Sequence, residues 1–171
     1  SNANTFAVAG NDGSRKPMAS YPVQVNAGWN LLSVPLDVAD GTKSVLFPTA
    51  TSPAYIYQDS YVAKDTLEAG SGYWLKFSTP QTIYVQGDTA LDKAVPVRVG
   101  WNMIGSLTVP MPVSHIYTEP DGIISSKYFR YVAAGGYQQS DTLQPGIGYW
   151  VKTTQEGMLF LTAPGGGEGP I

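Results

Sequence analysis

The chain states one motif twice, and that repetition restricts it to folds that can be assembled from two like halves. The first copy opens on Gly28-Trp29-Asn30 and closes on Asp65-Thr66-Leu67 followed by Gly70-Ser71-Gly72-Tyr73-Trp74-Leu75-Lys76. The second opens on Gly100-Trp101-Asn102 and closes on Asp141-Thr142-Leu143 followed by Gly146-Ile147-Gly148-Tyr149-Trp150-Val151-Lys152. All four tryptophans of the chain lie in these brackets. The openings are 72 residues apart (Gly28 to Gly100) and the closings 76 (Gly72 to Gly148), so the second copy carries a net insertion of four. We place it around residues 122–126 and at the 134–136 turn. A period this long exceeds most solenoid repeats and describes a duplicated small domain instead.

Each copy reads as short strands separated by turns. Val23 and Val25 alternate with Gln24 and Asn26, the pattern of a half-buried strand, and Val95 and Val97 match them. After each Gly-Trp-Asn comes an apolar run, ended in the first copy by Pro35. Short helical turns are expected at 44–47 and 114–117, and a hairpin at 55–63 around Gln58-Asp59-Ser60, repeated at 128–139. Strands at 73–77 and 82–85, with 149–153 and 158–161, finish the copies. No apolar pattern keeps a helical period over three turns. The expected fold is all-β: a duplicated antiparallel sandwich or barrel, with pseudo-two-fold symmetry between the repeats.

The boundaries follow from composition. Ser1-Asn2-Ala3 has the form of a residual expression tag, and residues 1–20 form an irregular lead-in with one edge strand expected at Phe6-Ala7-Val8. Repeat one covers 21–88 and repeat two 93–163, packed together as one unit. Residues 164–171 are a Gly-rich linker, beyond which more protein is expected. A unit of about 70 residues without a disulfide or a metal buries only about 60% of its unfolded surface and is marginal alone. The copies are therefore expected to share a core or exchange strands.

Charge narrows the partners. Ten Lys and Arg face 13 Asp and Glu for a formal net charge of −3, which leaves no basic stripe for phosphates and argues against nucleic acid. No run of about 18 apolar residues exists to span a membrane. The chain has no cysteine, which removes disulfides, thiolate metal sites and cysteine nucleophiles. Only 13% of residues are charged, against about 25% in an average domain, so the surface is built of Ser, Thr, Asn, Gln and Tyr.

The candidate residues are mostly aromatic. Gln144-Pro145-Gly146-Ile147 has the type II turn signature, and Ala69-Gly70 replaces Pro-Gly in the first copy. The Asp65-Thr66 and Asp141-Thr142 side chains are expected to bond those turns rather than hold calcium, which needs six or more oxygens. Gly72 and Gly148 suit a close backbone approach. Alternation along 73–77 puts Tyr73, Leu75 and Phe77 on one face and Trp74 with Lys76 on the other; Trp150 and Lys152 sort the same way. We expect these two tryptophans to be covered by a second layer, the alternative being an exposed platform for sugar rings. Trp29 and Trp101, opening apolar strands, are expected in the core. The hairpin tyrosines either pack across strands or form a sticky face. The candidate ligand-binding residues are therefore Trp74, Trp150, Tyr57, Tyr61, Tyr131 and Tyr137.

Catalysis has little to draw on. His115 is the one histidine; the apolar Val45 is its match in the first copy, so it is expected half-buried. No nucleophile elbow, zinc motif or phosphate loop is present. We expect no catalytic or metal-binding residues and no cofactor.

The repeated opening, with Leu143, Pro145-Gly146, Gly148-Tyr149-Trp150-Val151-Lys152 at the close, resembles a module of bacterial secreted and cell-surface proteins. The resemblance spans about residues 22–163 and implies a non-catalytic extracellular role, structural, anchoring or adhesive. Its partners would be the other domains of the parent chain, with a polysaccharide or a surface protein as ligand. A carbohydrate-binding module is the first alternative and a hydrolase fragment the second.

Overall fold

The structure, a computed structural model, describes residues 18–164. Among them the chain is mostly strand. The first half runs β1 (Met18–Val25), β2 (Gly28–Ser33), β3 (Leu36–Asp37), the helical turn α1 (Lys43–Leu46), β4 (Ala54–Tyr57), β5 (Tyr61–Lys64), β6 (Gly72–Phe77) and β7 (Gln81–Thr89). The second runs β8 (Asp92–Val97), β9 (Gly100–Ile104), β10 (Met111–Pro112), a 3-10 turn (Val113–His115), β11 (Tyr117–Glu119), β12 (Tyr128–Val132) and β13 (Gly136–Ser140). It ends with β14 (Thr142–Leu143), β15 (Tyr149–Thr153) and β16 (Gly157–Thr162). The expected lead-in is corrected at its end: β1 begins at Met18 because all eight of its residues pair with β7. The strand expected at Phe6-Ala7-Val8 and the glycines after Pro164 lie outside the described residues.

The strands pair antiparallel throughout. The first half holds a three-stranded sheet, β1-β7-β3, and a four-stranded sheet, β2-β6-β4-β5. The second half holds β11-β16-β8 and β13-β12-β15-β9, with β10 and β14 as a separate pair. None of these sheets closes into a barrel, since a closed barrel needs about eight strands and the largest sheet here has four. The barrel alternative is thereby excluded, and each half is sandwich-like. The inner faces meet in two apolar clusters, one around Val23, Leu36, Phe47, Leu75 and Phe77, the other around Ile104, Leu143, Tyr149, Val151 and Leu159.

The Gly-Trp-Asn openings are the corners where the chain leaves one sheet for the other. Gly28 and Gly100 adopt φ of +91° and +97°, which a side chain would strain. The next asparagine ties the corner. Asn30 accepts from the Asn26 amide and donates to the Asn26 and Gly28 carbonyls. Asn102 accepts from the Arg98 amide and donates to the Arg98 and Gly100 carbonyls. A side-chain amide carries both an acceptor and donors, so one buried residue pairs with an amide and two carbonyls of the corner.

The closing turns are fixed by tyrosine. Gly146 has φ +82° and the Ile147 amide donates to the Gln144 carbonyl at 3.3 Å, the expected type II geometry. The Tyr149 hydroxyl, carried on β15, accepts from the Gln144 amide at 2.8 Å, and Tyr73 accepts from the Glu68 amide at 3.0 Å. This corrects the role given to the Asp-Thr pairs. Asp65 and Asp141 instead use their backbone carbonyls, which accept from the Lys43 and Val113 amides. The Thr142 hydroxyl donates to the neighbouring Asp141 carboxylate, and its carbonyl accepts from the Tyr149 hydroxyl at 3.5 Å.

The halves are joined by a backbone seam. The Ser33 amide donates to the Gly146 carbonyl at 2.9 Å, and the Gly105 amide donates to the Gly70 carbonyl at 2.8 Å. Single bridges link Leu32 to Ile147 and Ser71 to Ile104. Buried Ser33 and Ser106 hydroxyls bond at 3.0 Å, and the Met103 sulfur of the second half packs into the first cluster and receives the Tyr57 amide. At the rim Lys93 pairs with Asp37, and Arg98 with Asp59 at 3.2 Å.

The tyrosines buried here make a prediction for alkaline solution. Burial pushes the Tyr128 hydroxyl up to about 12 and raises Tyr73 and Tyr149 above the ordinary phenol value, the last two against an opposing hydrogen bond from a backbone amide. The unfolded chain then loses these protons first, so stability is complete below about pH 10 and declines as the pH rises toward 12. Each such tyrosine contributes at most about 1.4 kcal/mol per pH unit in that window. Phenolate absorbance should rise together with loss of folded signal. A titration of all tyrosines near pH 10 with the fold intact would contradict this.

Candidate functional site

The outer faces of the two four-stranded sheets carry rings. On β6 the register sets Trp74 beside Leu31 and Lys76 beside Trp29, on the face of the sheet opposite Tyr73, Leu75 and Phe77. On β15 Trp150 lies beside Met103 and Lys152 beside Trp101. Next to these, β4 adds Tyr55 and Tyr57, and β12 adds Phe129 and Tyr131. Ring contacts then cross from one half to the other: Tyr131 packs on Trp74 at 5.1 Å and Tyr57 on Trp150 at 5.7 Å.

The outcome is two shallow cavities, both wide open to solvent. One, of about 420 Å³, is lined by Trp29, Tyr55, Tyr61, Trp74 and Tyr131. The other, of about 400 Å³, is lined by Trp101, Phe129, Tyr137, Trp150 and Tyr57. Each takes four rings from one half and one tyrosine from the other, and nothing but aromatic residues lines either. Their geometry corresponds ring by ring. Trp29 meets Trp74 at 88° and 6.5 Å, and Trp101 meets Trp150 at 90° and 6.3 Å. Trp29 meets Tyr55 at 54°, and Trp101 meets Phe129 at 59°. The cavities are neighbours, since Tyr57 touches Tyr61 at 5.4 Å and Tyr131 touches Tyr137 at 5.5 Å.

All six candidate residues named from the sequence therefore come together, three in each cavity: Tyr61, Trp74 and Tyr131, and Tyr57, Tyr137 and Trp150. Trp74 and Trp150 are half-buried, neither a fully covered core nor an open platform. Trp29 and Trp101 overturn their expectation. Each is 40% exposed, because the opposite half covers β2 and β9 only from Leu31 and Met103 onward and leaves the first ring uncovered. Those two, with Tyr55 and Phe129, were missed as site residues. The signal was available in the spacing, since Trp29 and Leu31 share a face that the antiparallel register sets against Lys76 and Trp74.

The electrostatics of the two cavities are matched as well. The Lys76 ammonium lies 5.9 Å from the Trp29 ring centre and Lys152 stands at 5.9 Å from Trp101, both side chains exposed. Burial raises the Tyr137 hydroxyl above the ordinary phenol value, opposed by the neighbouring Trp150 indole N–H. That N–H is buried without a hydrogen bond of good geometry, so its contact with Tyr137 is a weak electrostatic one.

Elsewhere the catalytic candidates thin out. His115 is exposed, as is Val45, because the turns that carry them sit on the surface; this corrects the half-buried placement. A third cavity, about 720 Å³ between the halves, has Glu68, Glu156 and Arg98 in its lining. An acid–base pair needs one carboxyl in apolar surroundings, and both glutamates are exposed. Among the described residues no group of three His, Asp or Glu stands close enough to hold a metal ion. Nor is any helix among them long and apolar enough to cross a membrane. Comparison with protein-family models, with curated proteins and with solved structures finds no match to this chain.

Proposed function

We propose that the chain is a non-catalytic binding module of a larger bacterial secreted or cell-surface protein, acting outside the cell in adhesion or anchoring through its aromatic face. The observation that carries this reading is the pair of cavities lined by aromatic rings alone. Rings left open to water are costly, and a contiguous patch of them is the usual mark of a surface that meets a ligand. We further read the halves as copies of one unit related by a pseudo-two-fold axis. The paired seam bonds and the matching ring angles support this, and duplication accounts for there being two cavities.

A carbohydrate ligand is the second reading, favoured by the exposure of Trp29 and Trp101 beside a lysine, a surface on which a sugar ring could stack. The test of the module reading is co-sedimentation with insoluble bacterial cell-wall and matrix fractions. The wild-type chain is expected to sediment, and a Tyr61→Ala, Tyr137→Ala double variant to remain in solution. Both residues are more than half exposed, at 54% and 55%, so the variant should fold normally. A wild-type chain that stays in solution with every fraction, or a variant that sediments equally, would count against the aromatic face as the binding surface.

A further inference from the structure

We propose that the two aromatic cavities are cages for a quaternary ammonium group, one in each half. This rests on the binding reading above and specifies its ligand. The first argument is ring orientation. In each cavity successive rings meet at steep angles, 54°, 88° and 74° in one and 59°, 90° and 63° in the other. A sugar is held by a flat face and needs polar partners for its hydroxyls. Here the walls stand across one another, and the polar groups near them are tyrosine hydroxyls and the exposed Lys76 and Lys152 ammoniums, few partners for the many hydroxyls of a sugar.

A group bearing methyls on a positively charged nitrogen has the opposite requirements. It donates and accepts no hydrogen bonds, so a cavity walled by aromatic rings costs it little, and the negative faces of several rings attract its charge together. Tryptophan provides the strongest such face, and each cavity has two. The protein already places cations of its own against the same rings, at Lys76 and Lys152. Those lysines are exposed and water-screened, so they weaken a bound cation only slightly and tune the cage rather than fill it. Volumes of about 420 and 400 Å³ leave room for the group that carries the nitrogen as well.

The experiment is a titration of tryptophan fluorescence, with calorimetry, using tetramethylammonium, choline and the uncharged isostere of choline, 3,3-dimethylbutanol. Choline is expected to bind roughly tenfold or more tighter than its isostere, since the two differ in charge and hardly in shape. Tyr61→Leu with Tyr137→Leu should reduce choline binding several-fold and leave the isostere unchanged. Lys76→Met with Lys152→Met should tighten choline about two-fold, whereas an anionic or neutral ligand would weaken or stay level. Phosphatidylcholine vesicles that co-sediment with the protein would place the ammonium on a lipid surface; choline binding without vesicle binding would place it on a soluble or polymer-borne group. Equal affinity for choline and its isostere overturns the cage, as does protection by cellohexaose or chitohexaose with none by choline, and both leave the module reading standing. If no ammonium, isostere or oligosaccharide perturbs the tryptophans, and no cell-wall fraction binds, both fall.

Discussion

Residues 90–164 expressed alone are expected to show no cooperative unfolding transition as a monomer, even though they carry an apolar cluster of their own. Cutting the chain opens the seam. Strand β9 loses the backbone cover of Gly70 and Ser71 along its outer edge, and the Gly146 carbonyl loses the Ser33 amide. Met103, 3% exposed in the whole chain, and the half-buried Trp150 lose the first cluster against which they pack. Each large apolar side chain returned to water costs about 1.5–3 kcal/mol, against a total stability of about 5–15 kcal/mol for a complete domain. A half of this size starts with less than that. The complementary piece, residues 18–89, should fare worse, because the first cluster includes Met103 while the second includes no buried residue from the first half. Circular dichroism through a thermal ramp decides it. A sharp transition at concentrations where the fragment is monomeric would show that the halves are independent; one that appears only at high concentration would show two fragments reproducing the seam.

Much of the fold could be read from the residues. Val23 and Val25 alternate with polar neighbours and are buried, and Tyr73, Leu75 and Phe77 face the core while Lys76 does not. Pro145-Gly146 specifies its turn, and Gln58-Asp59-Ser60 its hairpin, with Asp59 at φ +67°. These are local rules, set by neighbours in sequence. The offset between the halves widens along the chain: Thr51 and Ser125, 74 residues apart, donate their amides to the Lys76 and Lys152 carbonyls, and Tyr61 and Tyr137 differ by 76.

What local rules could not provide was the second half's position. Trp29-Asn30-Leu31-Leu32 is a continuous apolar run apart from the asparagine, and such a run means a strand covered on both faces. The run is indeed covered on both, but the outer cover is the other half, and it stops short of Trp29. Where a tertiary neighbour ends cannot be read from the strand it covers. The same applies to the cavities. The six aromatic candidates were recognisable by type, but Tyr131 meets Trp74 and Tyr57 meets Trp150 only because the seam brings the sheets together. The Asp-Thr pairs failed for a simpler reason: the tyrosine of the following strand reaches the turn amide of Glu68 or Gln144 from inside the core, and a buried bond outcompetes an exposed one.

Gly72→Ala and Gly148→Ala should each cost about 2–4 kcal/mol. Neither glycine needs its freedom for an unusual φ, since neither has a positive value. What each needs is space. A Cβ on Gly72 would stand 2.7 Å from the Ile104 carbonyl oxygen and 3.4 Å from the Gly148 Cα. One on Gly148 would stand 2.8 Å from the Leu32 carbonyl oxygen and 3.1 Å from the Leu31 side chain. Backbone oxygens held in a seam cannot swing aside as a lysine end could, so the halves must part. Gly100→Ala is the control. A Cβ there meets nothing within 4 Å, and its cost is the backbone strain of φ +97° alone, about 1 kcal/mol. The two seam glycines face each other, so the double variant should cost less than the sum: once one methyl has forced the halves apart, the second finds the room already made. Urea denaturation of the four variants measures all of this. The same parting would draw Tyr131 from Trp74 and Tyr57 from Trp150, so both seam variants should also lose ligand at the aromatic face while Gly100→Ala keeps it. Seam variants no less stable than Gly100→Ala would mean that the halves do not meet at these glycines.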